Sequence, residues 1–209
     1  MTTPNKITIC RICLIPFFVM MALYYGRSVA HGAPQEWMRW TALAIFVVAA
    51  ASDGVDGYIA RRYNQMSRLG VILDPIADKG LLLAGIVTLS ISNWQYEFPV
   101  WFPVLIISRD IIIVGGVVVL YLLNGSTKVR PSLMGKSATV AQMVAIGAVM
   151  LFTGYSWKTS VAGVTVTLLD IPMLVAGFFT LVSGISYIGG GIHEFHKHGH
   201  GDPKPPGEL

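Results

Sequence analysis

Charged residues are scarce in this chain of 209 residues. Asp, Glu, Lys and Arg together make up 12% of it, whereas a soluble domain carries about 25%. Hydrophobic residues make up 54%, and the mean hydropathy is +0.62. These values exclude an ordinary soluble domain and a disordered chain. Several apolar runs approach the ~20 residues that cross a bilayer as a helix, so the composition predicts an integral membrane protein.

Cysteine is almost absent, which excludes a fold held together by disulfides. The two cysteines, Cys10 and Cys13, lie in the first apolar run, and no second Cys-x-x-Cys pair exists to complete a zinc site. We therefore interpret them as small residues that pack on one helix face. Histidine is equally restricted, because every histidine except His31 follows residue 192. We expect that cluster to lie in a solvated tail rather than to bind a metal.

A basic run of the kind that binds nucleic acid is also missing, although the net charge is +4. The Lys and Arg residues lie in short connections between six apolar segments, which we predict to be the transmembrane helices of an all-α fold. These segments form one membrane domain, residues 1–192, and the polar stretch 193–209 is predicted to be a flexible cytoplasmic tail. The six segments cover approximately residues 7–26, 38–61, 69–92, 98–123, 138–155 and 167–190.

Lys and Arg are concentrated at both termini and in the connections after the second and fourth segments. The positive-inside rule places these parts in the cytoplasm. The tryptophans fall at the opposite ends of the segments, where amphipathic rings prefer the membrane interface. We expect a multi-pass protein of a bacterial inner membrane with an uncleaved first helix. The tryptophans are Trp37, Trp40, Trp94, Trp101 and Trp157.

Four aspartates lie in or beside the second and third segments, although an ionised carboxylate at a helix centre costs about 2.5–3.5 kcal/mol. Asp53 and Asp56 are i and i+3, and Asp74 and Asp78 are i and i+4, so each pair lies on one helix face. In antiparallel helices all four would lie ~7–15 Å from the connecting turn. The four carboxylates can therefore meet near the cytoplasmic face.

Such a cluster needs compensating charge, and three explanations are open. Carboxylate oxygens suit a hard cation, Mg²⁺ or Mn²⁺, and the cluster could hold two such ions. Alternatively, the aspartates pair with Arg61, Arg62 or Lys79 in a structural network. The third explanation is a proton or cation pathway, as in a transporter. The other segments offer little polarity to continue such a pathway, so we favour the metal site.

Residues 53–78 resemble the signature of the CDP-alcohol phosphotransferase family. They read D-G-V-D-G-Y-I-A-R-R-Y-N-Q-M-S-R-L-G-V-I-L-D-P-I-A-D, and the family pattern is D-x₂-D-G-x₂-A-R-x₈-G-x₃-D-x₃-D. All of its fixed positions are matched, and the six-segment topology extends the resemblance to most of the chain. The matching residues are Asp53, Asp56, Gly57, Ala60, Arg61, Gly70, Asp74 and Asp78.

The resemblance implies a role for each aspartate. Asp53, Asp56 and Asp74 would hold two divalent cations. Asp78 would also lie at the metal centre and would deprotonate the hydroxyl of an acceptor alcohol. The alkoxide would attack the β-phosphorus of a CDP-linked lipid, and CMP would leave.

The resemblance also implies that the nucleotide contacts Asp56, Gly57, Ala60, Arg61 and Gly70. Small residues let a ligand approach the backbone closely, although they also serve helix packing.

On the first helix, Asn5, Thr8 and Arg11 recur every three residues. All three could contact the nucleotide or the lipid headgroup at the cytoplasmic surface, and we assign Asn5 and Thr8 to CDP binding. The alternative is a polar stripe at an interfacial helix start.

Residues 4–11 and 73–79 resemble the phosphatidylglycerophosphate synthase branch of the family, whose acceptor is glycerol 3-phosphate. The acceptor's phosphate requires cations, and we assign Arg109, Lys136 and Arg130 to it. An arginine within a span is a functional candidate by default, but Arg109 could instead pair with its neighbour Asp110. Lys136 could be a topology charge.

The expected function is therefore a step of phospholipid biosynthesis. The phosphatidyl group of CDP-diacylglycerol would pass to sn-glycerol 3-phosphate, giving phosphatidylglycerophosphate and CMP, with Mg²⁺ or Mn²⁺. The family resemblance also implies a homodimer. One alternative is a cardiolipin synthase that uses phosphatidylglycerol as acceptor. Others are a family member that uses another alcohol, such as inositol phosphate, and, more remotely, a cation transporter.

Overall fold

The computed structural model describes residues 3–63, 68–124, 133–154, 158–161 and 164–199. Within these ranges, side chains are described except at residues 3–6, 53–63, 68–72, 74–75, 117, 119–121, 123–124, 133, 158–161, 164–166 and 190–199.

Six helices and one short hairpin make up the described part of the chain, and the predicted helical class is confirmed at this level. The helices extend beyond most of the predicted segments, because a helix can continue into the interface past the apolar run. The elements are α1 (Thr3–Ala30), α2 (Glu36–Tyr63), α3 (Arg68–Ile91), α4 (Trp101–Asn124), α5 (Leu133–Phe152), β1 (Lys158–Val161), β2 (Val164–Thr167) and α6 (Asp170–Gly199).

The core of the bundle is built from residues three or four apart on each helix, which is the spacing of one helix face. In α1 these are Phe18, Ala22 and Tyr25, all fully buried. α1 packs against both α2 and α3, α5 packs against α6, and α4 packs against α6. The buried residues with the same spacing are Ala42, Phe46 and Ala49 in α2, Leu82, Ile86 and Leu89 in α3, and Met173 and Ala176 in α6.

The outside of the bundle is also apolar. Ile111 of α4 and Ile185 of α6 are 65% and 68% exposed, which would be unfavourable in water over a large surface. By length and composition, three helical segments of the described chain can cross a membrane: Ile7–Ala30, Met134–Phe152 and Asp170–Gly189. The structure therefore supports a membrane protein.

The connection between α3 and α4 closes over one end of α1. A Cβ on Gly26 would lie 1.6 Å from the carbonyl oxygen of Ser92, so only glycine permits this approach. Beside it, the Trp94 ring contacts the Tyr25 ring at 4.6 Å between centroids, and Trp94 Nε1 donates to the Ala22 carbonyl at 3.1 Å. Trp94 is 4% exposed. The ring and its N–H therefore find their partners inside the bundle, at the end where the sequence places Trp94.

The same connection is joined to the start of α6. The Tyr96 hydroxyl donates to Asp170 Oδ1 at 2.6 Å, and Asp170 Oδ2 accepts from the Thr167 amide at 2.6 Å. Burial, together with the hydrogen bond to the Asp170 carboxylate, raises the pKa of Tyr96 above its ordinary value. Asp170 is thus a cap that joins two connections on one side of the bundle.

Two local features differ from the sequence predictions. β1 and β2 form an antiparallel hairpin with Val161 opposite Val164, where no strand is predicted. The alternation of Thr and Val in this stretch favours a strand. The helix α6 also continues to Gly199, beyond the predicted start of the tail at residue 193, because no proline or glycine interrupts residues 192–198. Residues 200–209 lie outside the described residues.

Candidate functional site

The signature occupies the end of α2 and the start of α3. α2 ends at Tyr63 and α3 begins at Arg68, and the two helices contact each other. At ~1.5 Å per residue, Asp53 and Asp78 each lie ~15 Å along their helix from the connection. Along their helices, these two residues therefore lie at the same distance from the connection.

Among the signature residues, Asp78 has a described side chain. The side chains of the other seven lie outside the described residues, although their backbone is helical. These seven are Asp53, Asp56, Gly57, Ala60, Arg61, Gly70 and Asp74.

Asp78 forms an ion pair with Arg11 of α1. The distance from Arg11 Nη1 to Asp78 Oδ1 is 2.7 Å. The Arg11 side chain is 0% exposed, and that of Asp78 is 35% exposed. A charge-assisted hydrogen bond of this length fixes the orientation of the carboxylate. The sequence predicts Arg11 as part of a polar stripe but does not predict its partner.

Thr8, one turn before Arg11, is also fully buried. The stripe on α1 therefore faces the bundle interior at Thr8 and Arg11. The side chain of Asn5 lies outside the described residues.

A second charged group connects α3, α4 and α6. Lys79 Nζ contacts Asp110 Oδ2, and Arg109 Nη1 donates to Asp110 Oδ1 at 2.8 Å. Arg109 Nη2 donates to Ser183 Oγ at 2.6 Å. Asp110 thus lies between two cations, and the group as a whole has an excess of positive charge. Lys79 follows Asp78 directly, so this charge lies beside the signature.

This geometry bears on the residues predicted for the acceptor phosphate. The alternative pairing of Arg109 with Asp110 is present, and Arg109 is at the same time held by Ser183. Lys136 is exposed near the start of α5. Arg130 lies outside the described residues. The structure brings Arg109 close to Lys79, a cation that the sequence interpretation did not assign to the acceptor.

A cavity of ≈ 580 Å³ lies between α5 and α6. Its walls are apolar, with Val140 and Val144 on one side and Val175 and Phe179 on the other. Lys136 and Ser137 also line the cavity. The cavity is therefore suited to a hydrocarbon chain that carries a negative group at one end.

The donor set fits hard divalent cations. The four signature aspartates supply carboxylate oxygens, and no histidine or cysteine occurs between residues 32 and 192. Asp78 is the signature aspartate whose side chain is described. That side chain is 35% exposed, so a cation or a substrate can reach its carboxylate. In the part of the chain with described side chains, no group of three or more His, Cys, Asp and Glu could hold a metal ion; Asp53, Asp56 and Asp74 lie outside that part.

The two cysteines take no part in this site. Both are free and exposed on α1. The buried face of α1 is formed by Thr8, Arg11 and Phe18, so the two cysteines lie on another face of that helix.

Comparison with known proteins identifies relatives along most of the chain. One is a Bacillus subtilis (strain 168) protein named CDP-diacylglycerol–glycerol-3-phosphate 3-phosphatidyltransferase, 34% identical over 188 residues, which cover 88% of this chain and 92% of the relative. Proteins of the same name from Haemophilus influenzae and Escherichia coli K12 are 34% and 35% identical over 88% of this chain and 90% and 92% of their own lengths.

The family model for CDP-alcohol phosphatidyltransferases matches residues 1–182. The match covers the signature helices, the Arg11–Asp78 pair and the charged group around Asp110. By this match and by the identity to its relatives, the chain belongs to the CDP-alcohol phosphatidyltransferase family.

Proposed function

We propose that this protein transfers the phosphatidyl group of CDP-diacylglycerol to sn-glycerol 3-phosphate, which gives phosphatidylglycerophosphate and CMP. The observation that carries the proposal is the full set of signature residues within a chain that is 34–35% identical to relatives named for this activity. The product is a phospholipid precursor, so the protein would act in phospholipid biosynthesis.

The aspartates of the signature are the proposed reaction centre. Asp53, Asp56, Asp74 and Asp78 would hold two Mg²⁺ or Mn²⁺ ions, which when bound offset negative charge on the pyrophosphate and on the leaving CMP. Asp78 accepts the proton of the acceptor hydroxyl. The hydroxyl oxygen forms a bond to the β-phosphorus of CDP-diacylglycerol, and the bond from that phosphorus to the CMP oxygen breaks.

The small residues of the signature leave room for the nucleotide. Gly57, Ala60 and Gly70 would let cytidine approach the backbone, while Asp56 and Arg61 would contact it. Asn5 and Thr8 would bind CDP from the side of α1, and the burial of Thr8 toward the bundle supports this.

The acceptor phosphate would be bound by Arg109, Lys136 and Arg130. Support comes from the charged group around Asp110, where Lys79 and Arg109 share one carboxylate. The excess of cations in this group favours an added dianion. The cavity between α5 and α6 would take an acyl chain of the lipid substrate, with Lys136 near a phosphate.

The membrane arrangement is also a proposal. All six helices would span the cytoplasmic membrane of a bacterium, with the termini and the site on the cytoplasmic side, as the distribution of Lys and Arg favours. The family resemblance further favours a homodimer.

The test of the function is release of CMP by the purified protein with CDP-diacylglycerol and Mg²⁺. Glycerol 3-phosphate, phosphatidylglycerol, inositol phosphate and no acceptor are run in parallel. We expect release with glycerol 3-phosphate alone and a loss of at least about 100-fold in Asp78→Asn, because the base is then missing.

Other outcomes of this assay are equally informative. Release with phosphatidylglycerol would make the protein a cardiolipin synthase and would overturn the acceptor assignment. The absence of release with every acceptor, from a protein that unfolds cooperatively on heating, would overturn the enzymatic proposal.

A further inference from the structure

One ion pair joins the first helix to the signature, and we propose that Arg11 is a positioning residue that holds the Asp78 carboxylate in its working orientation. The proposal rests on the proposed function, since the orientation of Asp78 matters for catalysis only if Asp78 acts on an acceptor hydroxyl. It makes α1 a part of the reaction centre as well as a membrane helix.

The geometry of the pair is the first support. Arg11 Nη1 lies 2.7 Å from Asp78 Oδ1, and the arginine side chain is 0% exposed while that of the aspartate is 35% exposed. A buried guanidinium is stable only with a well-placed carboxylate. The exposed third of Asp78 leaves the carboxylate open to a substrate, while the buried arginine holds it from behind.

The packing around the pair is the second support. A Cβ on Gly80, two residues after Asp78, would lie 3.2 Å from Ile15 Cδ1, four residues after Arg11. The helices α1 and α3 are therefore in close contact just beyond the pair. Thr8 is 0% exposed one turn before Arg11. Close packing on both sides leaves the arginine little freedom to change its conformation.

The chemistry of arginine restricts its role. A guanidinium keeps its protons under all ordinary conditions, so Arg11 cannot itself accept the acceptor's proton. It can fix the carboxylate that does, and a reacting group must be held within about 0.5 Å of its productive position. Arg11 therefore acts through Asp78.

The experiment compares Arg11→Gln with a matched variant, Arg39→Gln. Arg39 is another largely buried arginine, 11% exposed, and its Nη2 pairs with Glu36 Oε2 at 2.6 Å at the opposite end of α2 from the signature. For each protein, kcat and the KM values for CDP-diacylglycerol and glycerol 3-phosphate are measured. Thermal unfolding is measured in EDTA, where metal binding makes no contribution.

For Arg11→Gln we expect kcat to fall by about 10- to 100-fold, because one charge-assisted hydrogen bond is lost. Both KM values should stay within about threefold of the wild-type values. Arg39→Gln should lower the Tm but leave kcat within about twofold. In EDTA, the double variant should lose less Tm than the sum of the losses of Arg11→Gln and Asp78→Asn, because the two residues form one pair.

Several results would overturn the proposal. An unchanged kcat in folded Arg11→Gln would reduce Arg11 to a structural role. A raised KM for CDP-diacylglycerol with unchanged kcat would instead make Arg11 a nucleotide contact. Additive Tm losses would show that the pair does not exist in solution.

Arg11→Lys covers the case in which Arg11→Gln does not fold. It keeps the buried charge, so we expect a Tm near that of the wild type. Its kcat should fall by at least about threefold, because the lysine ammonium lacks the planar, forked set of N–H donors that a guanidinium presents to a carboxylate. A wild-type kcat in Arg11→Lys would overturn the proposal.

A wild-type protein without CMP release would overturn the proposed function and, with it, the catalytic purpose of the pair. The Tm coupling in EDTA would still test the ion pair.

Discussion

At the scale of single residues, paired charges lie beside the signature. Arg11 and Asp78 form one such pair, and Asp110 with Lys79 and Arg109 forms another group. Charges within an apolar bundle are costly unless they are paired or used. Both groups lie beside the signature, where the proposed function uses charge.

Arg109→Gln is a test of acceptor binding at this scale. We expect the KM for glycerol 3-phosphate to rise by about 10- to 100-fold, because one charge-assisted contact to a phosphate is lost. The KM for CDP-diacylglycerol should stay unchanged. Because Lys79 still pairs with Asp110 in this variant, the fold should persist. Steady-state kinetics with each substrate varied in turn provide the measurement.

Ser183→Ala is the matched control for that test. It removes the hydroxyl that accepts from Arg109 Nη2 but keeps the cation, so a smaller rise in the same KM is expected. If Arg109→Gln leaves the KM for glycerol 3-phosphate at its wild-type value, Arg109 is a structural partner of Asp110 and does not bind the acceptor.

The sequence identifies these residues more readily than their partners. A charge in an apolar run can be read directly, as for Arg11, Arg109 and Asp78. The pairing of Arg11 with Asp78 joins positions far apart in the chain, and no local spacing predicts such a contact. Lys79 illustrates the same limit, since its partner is Asp110 rather than an aspartate of the signature.

At the scale of elements, the α3–α4 connection closes over one end of α1. This contact holds α1 and α3, two of the helices that carry the site, against each other. Gly26 permits the approach of the Ser92 carbonyl, and Trp94 fills the space beside it. This closure lies at the end of α1 remote from Arg11. It orients the helix from which Arg11 reaches Asp78.

Gly26→Ala should therefore destabilise the protein. The added Cβ would lie 1.6 Å from the Ser92 carbonyl oxygen, and the backbone would have to move, which costs about 1–3 kcal/mol. Thermal unfolding followed by circular dichroism provides the measurement, with a lower Tm expected.

Gly147→Ala of α5 is the control for that substitution. No atom of the described residues lies within 4 Å of its added Cβ, and alanine favours a helix over glycine by about 1 kcal/mol. We expect an equal or higher Tm for this variant. Equal Tm losses in both variants would contradict the close approach at Gly26.

Element boundaries are less accessible from the sequence than element types. The helices follow from apolar runs of sufficient length, and their order is as predicted. The two strands of the hairpin have four residues each, which is the shortest length at which alternation of apolar and polar residues indicates a strand. The extension of α6 to Gly199 does not follow from hydropathy, because residues 193–199 are mostly polar although they are helical.

At the scale of the whole molecule, the proposed function requires one orientation in the membrane. Glycerol 3-phosphate and the CDP headgroup of the lipid substrate would reach the site from the cytoplasm, so the connection between α2 and α3 must face that side. The connection between α3 and α4 must then face the other side.

Single cysteines in these connections test the orientation. In a protein with Cys10 and Cys13 replaced by alanine, a membrane-impermeant maleimide added to intact cells should label Gln95→Cys. Ser67→Cys should react only after the membrane is disrupted, because the positive-inside rule places its connection in the cytoplasm. The reverse pattern would contradict the proposed topology and the cytoplasmic site.

By itself, the sequence determines the membrane character, the helical class and the spaced aspartates. Each of these depends on composition or on local spacing, which the chain carries without folding. The tertiary structure decides which polar groups meet: Arg11 with Asp78, Lys79 and Arg109 with Asp110, and Trp94 with Ala22. These contacts depend on how α1, α3, α4 and α6 pack. Many arrangements of apolar helices bury similar surfaces, and the close packing of all helix faces at once decides which arrangement forms.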